Sequence, residues 1–232
     1  MSEPVRVAVI GSTGLVGRCI LEEVRYRPDV RVMAIARREF DLPHDARMEC
    51  FVADPEAWGE VLAGLQPDCL INALGTTWKR AGRDEEAFRA VDQHLVVNTA
   101  RAAREAGIER MVTISSVGAN PSTRNFYLRV KGEVERELSQ LKFRRLDILR
   151  PGLLRGRRVD DLRFGEGIAR IASPLIDPFM GGGMRKYRSI RAETVANAAL
   201  GLGTRKAAGR FSHDHDAIQR AARDWMKRGE TV

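Results

Sequence analysis

The chain reads as an α/β protein: a doubly wound parallel sheet with helices on both faces and a small loop-rich lobe towards its C-terminal end. Three observations carry that expectation. Short apolar runs alternate with longer amphipathic segments from Val5 to Arg150. The runs are rich in valine, isoleucine and leucine, as strands buried on both faces require. The first run passes directly into a turn with glycine at every third position, Gly11, Gly14 and Gly17, and then into a helical pattern. Strands alternating with helices build parallel sheets through right-handed crossovers, and ligands bind beyond the carboxyl ends of such strands.

Taken in order, the strand expectations are Val5 to Ile10, Val30 to Ala36, Met48 to Ala53, Cys69 to Ala73, Arg110 to Ser115 and Leu146 to Arg150. The helix expectations between them are Leu15 to Tyr26, Glu56 to Leu65, Glu85 to Ala106 and Phe126 to Leu141. The Glu85 to Ala106 segment shows one apolar face, Phe88, Val91, Leu95, Thr99, Ala102 and Ala106, and Gly107 stops it. After Pro151 the pattern weakens. Residues 153–190 are rich in glycine and arginine and read as a substrate-side lobe within a single domain spanning 1–232. Helices from Ala192 to Leu202 and Ala217 to Lys227 close the chain.

Composition narrows the function classes. The length of 232 residues suits one domain with a full core. No apolar stretch reaches membrane-spanning length and no charged-then-apolar leader precedes the first strand, so a cytoplasmic protein is expected. Cys19, Cys50 and Cys69 are odd in number, lack metal-ligand spacing and sit in apolar segments, which reads as buried reduced thiols. The net charge of +8 is scattered over short clusters, Arg37-Arg38, Arg144-Arg145, Arg155 to Arg158 and Arg185 to Arg188, rather than gathered in one basic block. With the three tryptophans well separated, this argues against a nucleic-acid surface. His213-Asp214-His215-Asp216 precedes the last helix, where an aspartate N-cap is a better reading than a metal site.

Two places carry chemistry. The backbone from Gly11 through Ser12, Thr13, Gly14, Leu15 and Val16 to Gly17 leads into a helix N-terminus, whose free N–H groups suit a dinucleotide's phosphates. Further on, Tyr127, Val130, Val134, Leu138 and Leu141 share one helix face, and Lys131 stands four residues after Tyr127 on the same face. An ammonium there favours tyrosinate and suits the phenol to proton exchange with a substrate oxygen. Ser115-Ser116 ends the strand before this helix, where a hydroxyl can hold a substrate oxygen or simply shape a turn.

These residues, with Asp54, Asn72-Ala73-Leu74-Gly75 and Arg150-Pro151-Gly152, resemble the short-chain dehydrogenase/reductase superfamily over Val5 to about Leu202. Within it, Leu74-Gly75-Thr76-Thr77, Lys79, Ala81-Gly82 and the Tyr127 to Glu135 run are most similar to the atypical group of Tat-interacting oxidoreductase-like proteins. The resemblance implies a Rossmann fold that binds NAD(P). It also implies a catalytic set of Ser116 as orienting hydroxyl, with Ser115 as its rival, Tyr127 as general acid or base, and Lys131 as pKa modifier and ribose ligand. Many members carry an asparagine in the fourth-helix region; the matching position here is Asp92, so no relay through asparagine is expected. Asp54 is implied at the adenine, Ala73, Leu74 and Gly75 at the cofactor's middle, and Pro151 and Gly152 near the nicotinamide.

Arg37-Arg38 stand about twenty residues after Gly17, where an acidic residue would select NAD. Guanidinium groups there fit a 2′-phosphate, so NADP is expected over NAD, with Ser12 and Thr13 adding hydroxyls. The sequence therefore points to an NADP-dependent oxidoreductase moving a hydride to or from a carbonyl or alcohol carbon. Epimerase or dehydratase chemistry uses the same residues, and a cofactor-binding sensor with little turnover is the alternative. The expected partner is a small-molecule substrate, with neither nucleic acid nor membrane, and a homodimer through the two long helices is the assembly to test.

Overall fold

The computed structural model describes residues 3–25, 27–43, 48–156 and 182–229. Seven parallel strands form one sheet. They are β1 (Val5–Ile10), β2 (Val30–Ala36), β3 (Met48–Val52), β4 (Cys69–Asn72), β5 (Arg110–Ile114), β6 (Arg145–Leu149) and β9 (Gly209–His213). Their order is β3-β2-β1-β4-β5-β6-β9. The chain thus winds outward from β1 in one direction, then crosses back to β4 and winds the other way. That reversal creates a crevice beyond the carboxyl ends of β1 and β4. A separate pair, β7 (Leu154–Arg155) with β8 (Ile190–Arg191), lies after β6.

Alternation along β1 explains the layers. Val7 and Val9 point into one apolar cluster and Ala8 and Ile10 into the other, all four fully buried. The first cluster packs α1 (Leu15–Val24), α6 (Ala192–Gly203) and α7 (His215–Gly229) on the sheet. The second packs α2 (Trp58–Leu65), the helical stretch 85–105 and α5 (Phe126–Gln140) on the opposite face.

The first six strands lie within a residue of the sequence expectation at each end. The seventh, β9, has no apolar run to betray it: Arg210, Phe211 and Ser212 are exposed on the sheet edge, and only pairing with β6 makes them a strand. Asp214 caps α7 by accepting from Ala217 N–H at 3.1 Å, as expected for that acidic cluster. Among the described residues no group of three metal-ligating side chains occurs and no helix is long and apolar enough to cross a membrane. The three cysteines are free; Cys69 is buried, and Cys19 and Cys50 are half-buried.

One element departs from its expected form. The Glu85 to Ala106 segment is α3 (Glu85–Arg89), a π-turn over Ala90–Leu95, and α4 (Val96–Glu105). A π-turn adds one residue to the helical repeat and rotates everything after it by about 100°. The buried positions are Phe88, Asp92, Val96, Val97, Thr99, Ala100 and Ala103, whereas Val91, Leu95, Ala102 and Ala106 are half-buried, with Leu95 still packed on the second cluster. The lobe expected over 153–190 falls mostly outside the described residues, Arg157 and Arg158 included.

Candidate functional site

A cleft opens at the carboxyl ends of the central strands. It is lined by the β1–α1 turn (Thr13, Gly14, Leu15, Val16, Arg18), the segment after β4 (Ala73–Thr77, Arg80), and Asp92, Ile114, Ser115, Tyr127, Lys131 and Leu154. Each side follows from local structure. Gly11 adopts a positive φ of +80°, and a Cβ there would sit 2.5 Å from the Ala73 backbone, so the turn and the β4 exit touch only through glycine. At Gly17 a Cβ would stand 2.2 Å from Gly11 O, which fixes α1 tightly under the turn. The α1 N-terminus has no side-chain cap and no acidic residue in its first turn, which leaves its N–H groups directed at the cleft without a competing anion. The turn thus fits a dinucleotide's pyrophosphate. Thr13, Gly14, Leu15, Val16, Ala73, Leu74 and Gly75 all line the cleft, and Ser12 is buried beneath them. Asn72 holds the β4 exit in place: its amide donates to Thr113 Oγ1 at 2.9 Å and its carbonyl accepts from Leu74 N–H at 3.0 Å.

Helix α5 is capped at its start by Asn125, whose side chain accepts from Leu128 N–H at 3.0 Å. One turn in, Tyr127 is 37% exposed at the cleft mouth and Lys131 is buried in its wall. Lys131 Nζ lies 6.0 Å from the Tyr127 ring centre and 2.6 Å from Asp92 Oδ1, and Asp92 is fully buried. The second Asp92 oxygen accepts from Thr76 N–H at 2.7 Å. Burial opposes the Lys131 charge, but Asp92, with Tyr127 and Glu135 behind it, outweighs burial and leaves its pKa above the ordinary lysine value.

A second buried network supports the first. Ser115 donates to Glu135, and Glu135 pairs with the Arg150 guanidinium through both carboxylate oxygens. That contact raises the Arg150 pKa further. The two candidate serines differ in their surroundings. Ser115, the rival to Ser116 for the orienting hydroxyl, lines the cleft, while the Ser116 hydroxyl turns back to Val117 O at 3.4 Å. The Ser115 hydroxyl is held by the buried Glu135 carboxylate, whereas Ser116 has no such acceptor and bonds its own neighbour's carbonyl.

The remaining expected residues sit around the cleft rather than in its lining. Arg37 and Arg38 are exposed just past β2, and Asp54 is exposed just past β3, its side chain making no capping bond to the turn that follows. Pro151 is buried, its carbonyl accepting from Val117 N–H at 2.9 Å. A Cβ on Gly152 would stand 2.3 Å from Arg188 O, so this glycine admits the returning 187–188 segment. Arg18, Thr76, Thr77, Arg80, Leu154 and Glu135 were not singled out as site residues from sequence. Arg18 had a readable signal, a cation directly after the third glycine; its Nε donates to Thr13 O at 3.2 Å beside the pyrophosphate cradle.

Comparison with known proteins identifies the family and the fold. The family model described as NAD dependent epimerase/dehydratase family matches residues 7–133. The mitochondrial protein FMP52 of Saccharomyces cerevisiae is 36% identical over 162 residues, covering 68% of this chain and 70% of its own. The mitochondrial protein fmp52 of Aspergillus fumigatus is 38% identical over 208 residues, covering 84% and 86%. The enzyme WbmH of Bordetella bronchiseptica, solved in complex with NAD+, shares the fold with a TM-score of 0.68 at 15% identity, over 95% of this chain and 80% of its own. The relatives' mitochondrial names overturn the cytoplasmic expectation. Its premise was the lack of a long apolar segment, a property that organelle-lumen proteins share with cytosolic ones. With its glycine turn, parallel sheet and tyrosine–lysine helix, the chain belongs to the NAD-dependent epimerase/dehydratase family of NAD(P)-binding, Rossmann-like proteins.

Proposed function

We propose that this protein is an NADP-dependent oxidoreductase acting on a carbonyl or alcohol carbon. The observation that carries the reading is the convergence of Tyr127 and Lys131 on the same cleft as the uncapped α1 N-terminus. A titratable oxygen is thereby placed beside a dinucleotide cradle. NADPH, when bound, supplies the hydride to the carbonyl carbon. Tyr127 gives its hydroxyl proton to the carbonyl oxygen, so the two together yield the alcohol. The Lys131 ammonium, held by Asp92, stabilises the negative charge left on Tyr127. Ser115 donates its proton to Glu135 and therefore offers lone pairs to the cleft, which suits it to accept from a substrate hydroxyl.

The selection of NADP rests on Arg37 and Arg38 past β2, with no carboxylate at those two positions. Calorimetric titration with NADPH and NADH, repeated on Arg37→Ala, tests the reading. Loss of a charge-assisted contact to a phosphate costs about 1.5–3 kcal/mol, roughly a 10- to 100-fold weakening. NADPH affinity should fall by that factor while NADH affinity stays constant. Failure of the wild type to bind either nucleotide would sink the reading.

A further inference from the structure

Ser115 has no hydrogen left to give the cleft it lines. Its hydroxyl donates to the Glu135 carboxylate, and its backbone N–H donates to Leu149 O at 2.8 Å. Glu135 cannot offer a hydrogen in return. The Arg150 guanidinium holds it as a fork, with Nε 3.0 and 3.2 Å from its two oxygens and Nη2 on the second of them. A carboxylate paired in this way accepts and does not donate. A hydroxyl carries one hydrogen and two lone pairs, so Ser115 Oγ is left as an acceptor. Among the described residues no N–H or O–H donates to it. Asp92, the carboxylate in the same cleft, is already engaged: Lys131 Nζ stands on one oxygen and Thr76 N–H donates to the other. One cleft thus combines a donor, the Tyr127 hydroxyl, with an unclaimed acceptor, Ser115 Oγ.

We infer that Ser115 is a specificity-determining residue that accepts from a hydroxyl of the substrate, and that the substrate is a hydroxy carbonyl compound. Its carbonyl sits at Tyr127 and its hydroxyl, on a neighbouring carbon, at Ser115. This rests on the oxidoreductase reading above. A serine that orients a bare carbonyl must donate to the carbonyl oxygen, and the only hydroxyl hydrogen of Ser115 is held by Glu135. A bare ketone would take water away from the Ser115 lone pairs and give nothing back, which is the costly case for a buried polar group. A substrate hydroxyl supplies the missing hydrogen. Sites built to pair with a substrate hydroxyl discriminate against the analogue that lacks it. On reduction the hydride reaches the carbonyl carbon, Tyr127 gives its proton to the carbonyl oxygen, and the product is the vicinal diol.

Three ketones of similar shape test it on the full-length protein with NADPH. Acetoin carries a hydroxyl beside its carbonyl. In 3-methyl-2-butanone a methyl replaces that hydroxyl, and 3-methoxy-2-butanone keeps the oxygen but loses the hydrogen. The wild type should show a kcat/KM for acetoin about tenfold above that for either analogue, the worth of one hydrogen bond. In Ser115→Ala the three values should come within about twofold of one another. Ser115→Thr keeps the hydroxyl and should keep the preference, which guards against a misfolded alanine variant. Calorimetric titration with NADPH shows for each protein that the cleft is formed. A wild type that binds NADPH yet treats the three ketones alike, equal inactivity included, overturns the inference while leaving the nucleotide site standing. A preference for 3-methoxy-2-butanone over acetoin would reveal a donor at Ser115 and overturns it too, as does an unchanged acetoin preference in Ser115→Ala. Absence of nucleotide binding in the wild type removes the oxidoreductase reading and this inference together.

Discussion

Asp92 Oδ1 lies 2.6 Å from Lys131 Nζ, and both side chains are buried. The pair joins two elements that approach the cleft from different directions: the π-turn between α3 and α4, and the first turns of α5. Through Thr76 N–H the same carboxylate also fixes the segment that follows β4. π-turns recur at functional sites, and Asp92 lies within this one.

Asp92→Asn should therefore uncouple Lys131. Leaving a buried ammonium without its counter-charge costs about 3 kcal/mol, seen as a lowered urea midpoint with an unchanged m-value. The pH dependence has a defined sign. A lysine raised on folding contributes stability that is complete below its ordinary value of 10.5 and is lost as pH rises through the raised value. In the variant burial acts with less opposition, Lys131 titrates lower, and the alkaline limb of kcat/KM moves to lower pH. An alkaline limb in the same place would show that Asp92 does not govern Lys131.

Gly17→Ala tests the cradle. Its Cβ would stand 2.2 Å from Gly11 O and 2.6 Å from Ser12 Cα, both backbone atoms that cannot swing aside. Forcing α1 away from the turn should cost about 1–3 kcal/mol of stability. Nucleotide affinity should fall by more than about tenfold, since helix N-terminus and turn no longer converge on one pyrophosphate. Calorimetry beside a thermal melt separates the two effects.

Glu135→Gln tests the second network. Glu135 is buried, but the Arg150 side chain is 37% exposed, so solvent screens part of the pair and the expected loss is about 1 kcal/mol. The sharper readout is kinetic. An amide still accepts from Ser115 but orients it less firmly, so kcat should fall more than cofactor affinity. Equal losses in both would indicate a purely structural role.

Thiol labelling of the native protein at pH 8 should be slow. Burial, with Glu193 and the α1 glutamates adding to it, pushes Cys19 up to about 11, and burial pushes Cys69 up to about 12. Cys50 is raised as well, by burial and then by Glu39. Little thiolate is present at that pH, so labelling with iodoacetamide should accelerate sharply on unfolding in urea. Fast labelling of Cys69 in the native state would contradict its place in the core.

Much of the architecture was legible in the chain. Six strands, the glycine turn, and the start of α5 with Tyr127 and Lys131 on one side all follow from local chemistry. Buried parallel strands need continuous apolar runs, a pyrophosphate turn needs residues without Cβ atoms, and positions four apart on a helix are neighbours. Lys131 was readable as a buried cation because the residues flanking it on that face are apolar.

What escaped the sequence depended on partners distant along the chain. β9 is a strand only because β6 offers it a ladder. Ser115 rather than Ser116 faces the cleft because Glu135 and Arg150, from two other elements, are there to receive it. Asp92 sat one position off the apolar face that a regular helix predicts. Its inward partner, Lys131, comes from α5, and no local pattern shows that contact. Local sequence sets the pitch of an ideal helix, but where a helix takes up an extra residue depends on tertiary neighbours, and here Phe88 packs in the second apolar cluster before the π-turn and Asp92 within it pairs with Lys131.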